Sequence, residues 1–175
     1  MSAERIDIGN VHPVPVRPLN SRELHLYLAH LLTLSRQCRR SRFGNEVKDA
    51  FLCEYVSRVD LQNTLVLGYF TDSRLTGIAE IRSLQTKWCA HAEVAFSVEQ
   101  SQRTNGIATA LMRSALDHAA RIGIAQLHLI CDSQNRAMQR VAEKVEAVVR
   151  FEESDCMCCV RVPSACSSAS TLAAA

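Results

Sequence analysis

The stretch from Ser101 to Ala120, SQRTNGIATALMRSALDHAA, constrains the fold more than any other. A polar run carrying Gly106, one of the chain's 6 glycines, turns directly into a helical pattern. In that pattern Ile107, Ala108, Leu111, Met112, Ala115, Leu116 and Ala119 form one apolar stripe. Just upstream, CAHAEVAFSVEQ alternates early and is apolar later, which reads as a strand. The unit is therefore strand, loop, helix, and the stripe needs a layer to pack on. The first N–H groups of a helix lack intrahelical partners and sit at the positive end of its dipole, so the Gly106 turn is a ready-made place for a phosphate. Gly106, with no Cβ, would let the backbone approach a pyrophosphate closely; a plain strand-to-helix turn is the alternative.

The rest of the chain supplies the layers. VPVRPL, Val14 to Leu19, reads as a short strand limited by its prolines. A first helix follows, with cap candidates Asn20 and Ser21, apolar Leu24, Leu28, Leu31 and Leu32, and an end near Cys38. NEVKDAFLCEYVSRV reads as a second helix that Asn45 could cap. TLVLGYFT and LTGIAEIRSL flank the turn residues DSR, a hairpin signature. After the Gly106 helix come a strand, AQLHLICD, then a helix, SQNRAMQRVAEKV, and a closing hairpin of AVVRFEE and CMCCVRV. The expectation is one domain over residues 1–163, an α/β mixed sheet of about seven strands with about four helices covering both faces. Residues 164–175, SACSSASTLAAA, read as a loose small-residue tail.

Composition removes several classes. Apolar residues make up 47% and charged residues 22%, a globular balance. A net charge of +2 leaves no electrostatic footprint for nucleic acid, and the basic knot RQCRRSR reads as a solvated helix end. No apolar run approaches the length of a membrane span. The start carries no basic segment followed by an apolar one, so no signal peptide is expected. Eight cysteines in that context imply reduced thiols and a cytoplasmic setting.

Arg103-Thr104-Asn105-Gly106-Ile107-Ala108, placed after an alternating strand and opening an amphipathic helix, resembles the acetyl-CoA signature of the GNAT superfamily of acyl-CoA N-acyltransferases. That signature is Arg or Gln, two residues, Gly, one residue, then Gly or Ala. The resemblance runs from about Thr64 to Val162, and the phosphate motifs of neighbouring folds are absent. AEVAFSVEQ, NRAM and SRF are similar to the Pat-like protein-lysine acetyltransferase branch. The resemblance implies acetyl-CoA as acyl donor and an amine of a small molecule or a protein lysine as acceptor; charge, apolar-run length and cysteine spacing predict no nucleic acid, membrane or metal partner. It implies that Arg103, Thr104, Asn105, Gly106, Ile107, Ala108 and Thr109 hold the pyrophosphate. It also implies that Phe96, Ser97 and Val98 hold the pantetheine arm and that Asn135 helps position the cofactor. A homodimer through CMCCVRV is a further family-based expectation. The tyrosine that many members use to protonate the departing thiolate is replaced here by Ala142. That departure leaves open a CoA-binding module without turnover.

The chemistry fits these residues. Strand period two places Cys89, His91 and Glu93 on one face, opposite Ala90, Ala92 and Val94. The resemblance makes Glu93 the general base, and His91, two residues away, could relay its proton. Glu80 and Glu99 are the other carboxylates considered for that role. The alternatives are a solvated strand glutamate and an exposed strand histidine. Cys156, Cys158 and Cys159 lack the paired spacing of structural zinc sites, so buried small apolar residues are the expected reading.

Overall fold

The computed structural model describes residues 15–163, so the tail expected at 164–175 lies outside the described residues. Strand β1 (Val16–Pro18) leads to a short 3-10 turn over Ser21–Glu23. Asn20 caps that turn, and the Glu23 carboxylate accepts the Asn20 N–H in return. The single first helix expected from the sequence is two: α1 (Leu24–Thr33) and α2 (Arg36–Phe43). Leu34 between them is extended, at φ −68° and ψ 133°. Ser35 then caps α2, its hydroxyl accepting the Cys38 N–H. Gly44 ends α2 in the left-handed region at φ 74°. Helix α3 (Asp49–Ser57) starts after Lys48, so Asn45 is not its cap.

Strands β2 (Thr64–Thr71) and β3 (Arg74–Ser83) form the expected hairpin. Its two-residue loop holds Asp72 and Ser73 at φ 48° and 65°, which matches the twist of the strands it joins. Then follow β4 (His91–Val98), α4 (Ile107–Arg121), β5 (Gln126–Asp132), α5 (Arg136–Glu143), β6 (Val148–Glu152) and β7 (Asp155–Arg161). Seven strands form one sheet in the order β1-β2-β3-β4-β5-β7-β6, with five α-helices rather than four. Strand β7 lies between β5 and β6, so Cys156–Cys159 of CMCCVRV are paired on both edges, Val160 and Arg161 pair with β5 alone, and β6 is the outer edge.

Sheet alternation sends neighbouring side chains to two cores. Val66 and Ile78 pack with Tyr27, Leu31 and Leu52 beneath α1–α3. Leu67, Ala79 and Ile81 pack with Ile107, Leu111 and Met112 beneath α4. Leu111 and Met112 are fully buried, and each contributes about 1.5–3 kcal/mol by leaving water. Helix α4 comes this close because Gly77 sits under its first turns. A Cβ at Gly77 would lie 2.8 Å from Ile107 Cγ2 and 3.2 Å from Leu111 Cδ1. The absent side chain at Gly77 therefore sets where the α4 N-terminus rests on the sheet.

Candidate active site

Strands β4 and β5 run parallel and pair over a short register: His91 with Gln126, Ala92 with Leu127, and Glu93 with His128. Beyond Glu93 and His128 the strands part. A cavity of about 830 Å³ opens there, with Ala95–Val98 on one side and Leu129–Asp132 on the other. The parting frees backbone N–H and C=O groups of both strands for a ligand. Gln37, Cys38, Ser41 and Arg42 of α2 line one wall, and the heads of α4 and α5 line another.

The α4 end matches what an anion needs. Gly106 is its cap residue at φ 77°, and no side chain caps the first N–H groups. A Cβ on Gly106 would meet nothing within 4 Å, so the loop is open where a ligand would approach. Phe96, Ser97, Val98, Arg103, Thr104, Gly106, Ile107, Ala108, Thr109 and Asn135 all line this one cavity. Asn105 is exposed beside them. The Asn135 side chain accepts the Met138 N–H at 3.2 Å and so caps α5. Arg103 Nη2 donates to Cys38 Sγ at 2.9 Å, tying the loop to α2.

Arg136 and Arg140 of α5 and Lys144, which caps its C-terminus, also line the cavity. The i, i+4, i+8 spacing of the three is the signal the sequence offers for them. Together with Arg103 they make the α4–α5 end cationic, with Asp132 the acidic residue among the lining.

Glu93 and His91 lie outside that lining. Glu93 is exposed on β4, two residues before Ala95, at the last paired position of the splay. Its side chain makes no ion pair or hydrogen bond among the described residues. His91 Nδ1 lies 3.2 Å from His128 Nε2, with ring centroids 5.5 Å apart and planes 27° apart. Sequence reasoning missed His128, because the contact depends on β4–β5 register.

The other two carboxylates are occupied. Glu80 is 3% exposed and accepts from the hydroxyls of Tyr27 and Tyr55 and the guanidiniums of Arg42 and Arg82. Burial first, and the Glu80 charge second, push the Tyr27 hydroxyl well above its usual range, so it stays a donor. Glu99 is bridged by Arg74 at 2.7 Å to both oxygens.

His30 is buried on α1, its Nε2 2.9 Å from Ser97 Oγ. Burial pushes it down to about 4 from 6.5, with the Glu99 charge opposing. A folded value below the unfolded one means the neutral ring's stabilisation is complete above pH 6.5. It is lost as pH falls from 6.5 through about 4. Urea midpoints should drop across that window, and His30→Gln should flatten that part of the profile; an unchanged slope contradicts the assignment.

The three buried thiols Cys131, Cys156 and Cys158 form a group on β5 and β7, with Cys156 and Cys158 sulfurs 3.7 Å apart. Burial pushes the Cys131 and Cys158 thiols up to about 12, so they remain protonated packing groups. Among the described residues no three His, Cys, Asp or Glu are placed to hold a metal, and no helix is long and apolar enough to cross a membrane.

The GNAT acetyltransferase family model matches residues 28–146, which span both sides of the cavity. Curated protein sequences give no match. Among solved structures, the GNAT domain of S. lividans PAT superposes with TM-score 0.71 at 16% identity, covering 83% of this chain and 89% of that one. RimL, a ribosomal L7/L12 alpha-N-protein acetyltransferase in complex with coenzyme A, gives 0.67 at 15%, covering 85% and 94%. The ribosomal-protein-alanine N-acetyltransferase from Brucella melitensis gives 0.65 at 13%, covering 82% and 96%. The chain belongs to the GNAT acetyltransferase family and is an acyltransferase.

Proposed function

We propose that the chain transfers an acetyl group from acetyl-CoA to a primary amine by direct attack in a ternary complex. The observation that carries this reading is the β4–β5 splay, whose cavity collects two strand edges and two helix heads. Acetyl-CoA supplies the acyl group and the thiolate leaving group. The free N–H groups at the head of α4, with Arg103, hold the pyrophosphate. Arg136, Arg140 and Lys144 take the remaining phosphate charge. The backbone of Phe96, Ser97 and Val98 binds the pantetheine arm, and an N–H there polarises the thioester carbonyl.

Glu93 takes the proton of the incoming ammonium, directly or through a water. His91 and His128, in contact at 3.2 Å, pass it to solvent. Ala142 is fully buried in the core, so the position many GNAT members give to a tyrosine acid holds a methyl group, and water protonates the thiolate. The acceptor is a protein lysine or a small-molecule amine in a cytoplasmic setting, and its pocket is the α2 wall and the exposed face of β4. A second copy, if it pairs with the sheet, uses β6, where Val148 and Phe151 are each 61% exposed.

A panel of small amines and lysine-containing peptides, assayed by thiol release from acetyl-CoA, tests the reading. Amine-dependent release with a matching acetylated product is expected. Release that ignores every amine, from folded protein that binds acetyl-CoA, would leave the direct-transfer scheme without support.

A further inference from the structure

We propose that Ser97 is a catalytic hydrogen-bond donor to the thioester, with its hydroxyl proton aimed into the cavity by His30 as a positioning residue. This rests on the reading that acetyl-CoA occupies the β4–β5 splay. His30 is 3% exposed and reaches Ser97 from α1, one turn before Leu34, which lines the same cavity as Ser97. Its Nε2 lies 2.9 Å from Ser97 Oγ, while its Nδ1 is buried without a well-aligned partner among the described residues, the backbone of Ser97 and Leu75 being the polar groups nearest the ring.

That asymmetry selects the tautomer. A proton on Nδ1 would leave a buried N–H donor without a well-aligned acceptor, whereas a bare Nδ1 leaves only an acceptor, which folded proteins tolerate more readily. The proton therefore sits on Nε2 and is donated to Ser97 Oγ. With that lone pair occupied, the hydroxyl must give its own proton elsewhere, and no protein acceptor among the described residues takes it. Burial keeps His30 neutral near pH 7, so the arrangement is fixed before any ligand arrives. A fixed donor beside the place where the carbonyl gains charge stabilises the transition state without reorganising. No proton changes owner: Ser97 keeps its O–H and His30 its Nε2–H. The role is distinct from a tyrosine acid, which would give its proton up.

The test uses acetyl-CoA labelled with carbon-13 at the carbonyl, bound to the whole protein. Wild type should shift the carbonyl resonance downfield of free cofactor, and Ser97→Ala should lose most of that shift while remaining folded and binding acetyl-CoA within about twofold. His30→Leu should lose it as well, and the double variant should add nothing to either. Long-range proton–nitrogen NMR should find the His30 proton on Nε2. In turnover, Ser97→Ala should lower kcat by about 100-fold. Equal carbonyl shifts in wild type and Ser97→Ala, or a proton on Nδ1, would overturn the proposal. Acetyl-CoA that fails to bind wild type at all is a different result, and it overturns the cofactor reading itself.

Discussion

Glu93→Gln is expected to lower kcat for acetyl transfer by at least about 100-fold while leaving the Kd for acetyl-CoA unchanged. The substitution keeps the size and planarity of the side chain and removes its capacity to take a proton. A lysine-type amine titrates near ~10.4, so at neutral pH nearly all of it arrives as ammonium and cannot attack a thioester. Glu93 lies outside the cavity lining, so cofactor affinity has no reason to move. The deficit should shrink as pH approaches ~10, where solvent deprotonates the amine unaided. Wild-type rates from Glu93→Gln at neutral pH would remove it from the mechanism. The occupied Glu80 and Glu99 would then be poor substitutes, since each already accepts from arginine.

Glu80→Ala should cost about 3–5 kcal/mol of folding stability, because it leaves a buried cation without its partner. The Arg42 side chain is 7% exposed and the Glu80 side chain 3%, with the ion pair at 2.8 Å. Removing the carboxylate strips the acceptor from Tyr27, Tyr55, Arg42 and Arg82 together. A loss of that size is a large part of the 5–15 kcal/mol that typically holds a domain together. Helices α1, α2 and α3 each contribute one of those donors, so their seating on β3 should loosen first. Urea unfolding checks this. The paired replacement Glu80→Leu with Arg42→Met should recover much of the loss, since it removes both charges. A single Glu80→Ala variant within about 1 kcal/mol of wild type would show that the cluster contributes little.

How far the sequence carried this account depends on the range of the interactions. Alternation in CAHAEVAFSVEQ and the stripe from Ile107 to Ala119 are local periodicities, and they located β4 and α4 closely. The Arg103–Ala108 loop was legible for the same reason, as a glycine at a helix start. The break at Ser35 was missed because Leu24–Leu32 and the charged run after it both read as helix. The cap that separates them was visible only as one serine before RQCRRSR. Strand β7 inserted between β5 and β6 is a matter of sheet order, which periodicity does not encode. The cluster around Glu80 joins residues up to 53 positions apart, and the His30–Ser97 contact spans 67. Such pairs carry no local pattern. The basic row on α5 was the one omission with a readable spacing, and it was passed over because surface arginines are common.

The most direct measurement is calorimetric titration of the purified protein with acetyl-CoA, beside a Gly106→Trp variant shown to be folded. Gly106 holds φ at 77° over open space, so an indole there strains the backbone and fills the approach to the α4 head. Micromolar binding by wild type, abolished in the variant, is the predicted result. Unchanged affinity in Gly106→Trp, or no binding to folded wild-type protein free of co-purified CoA, would contradict the placement of the cofactor in the β4–β5 splay.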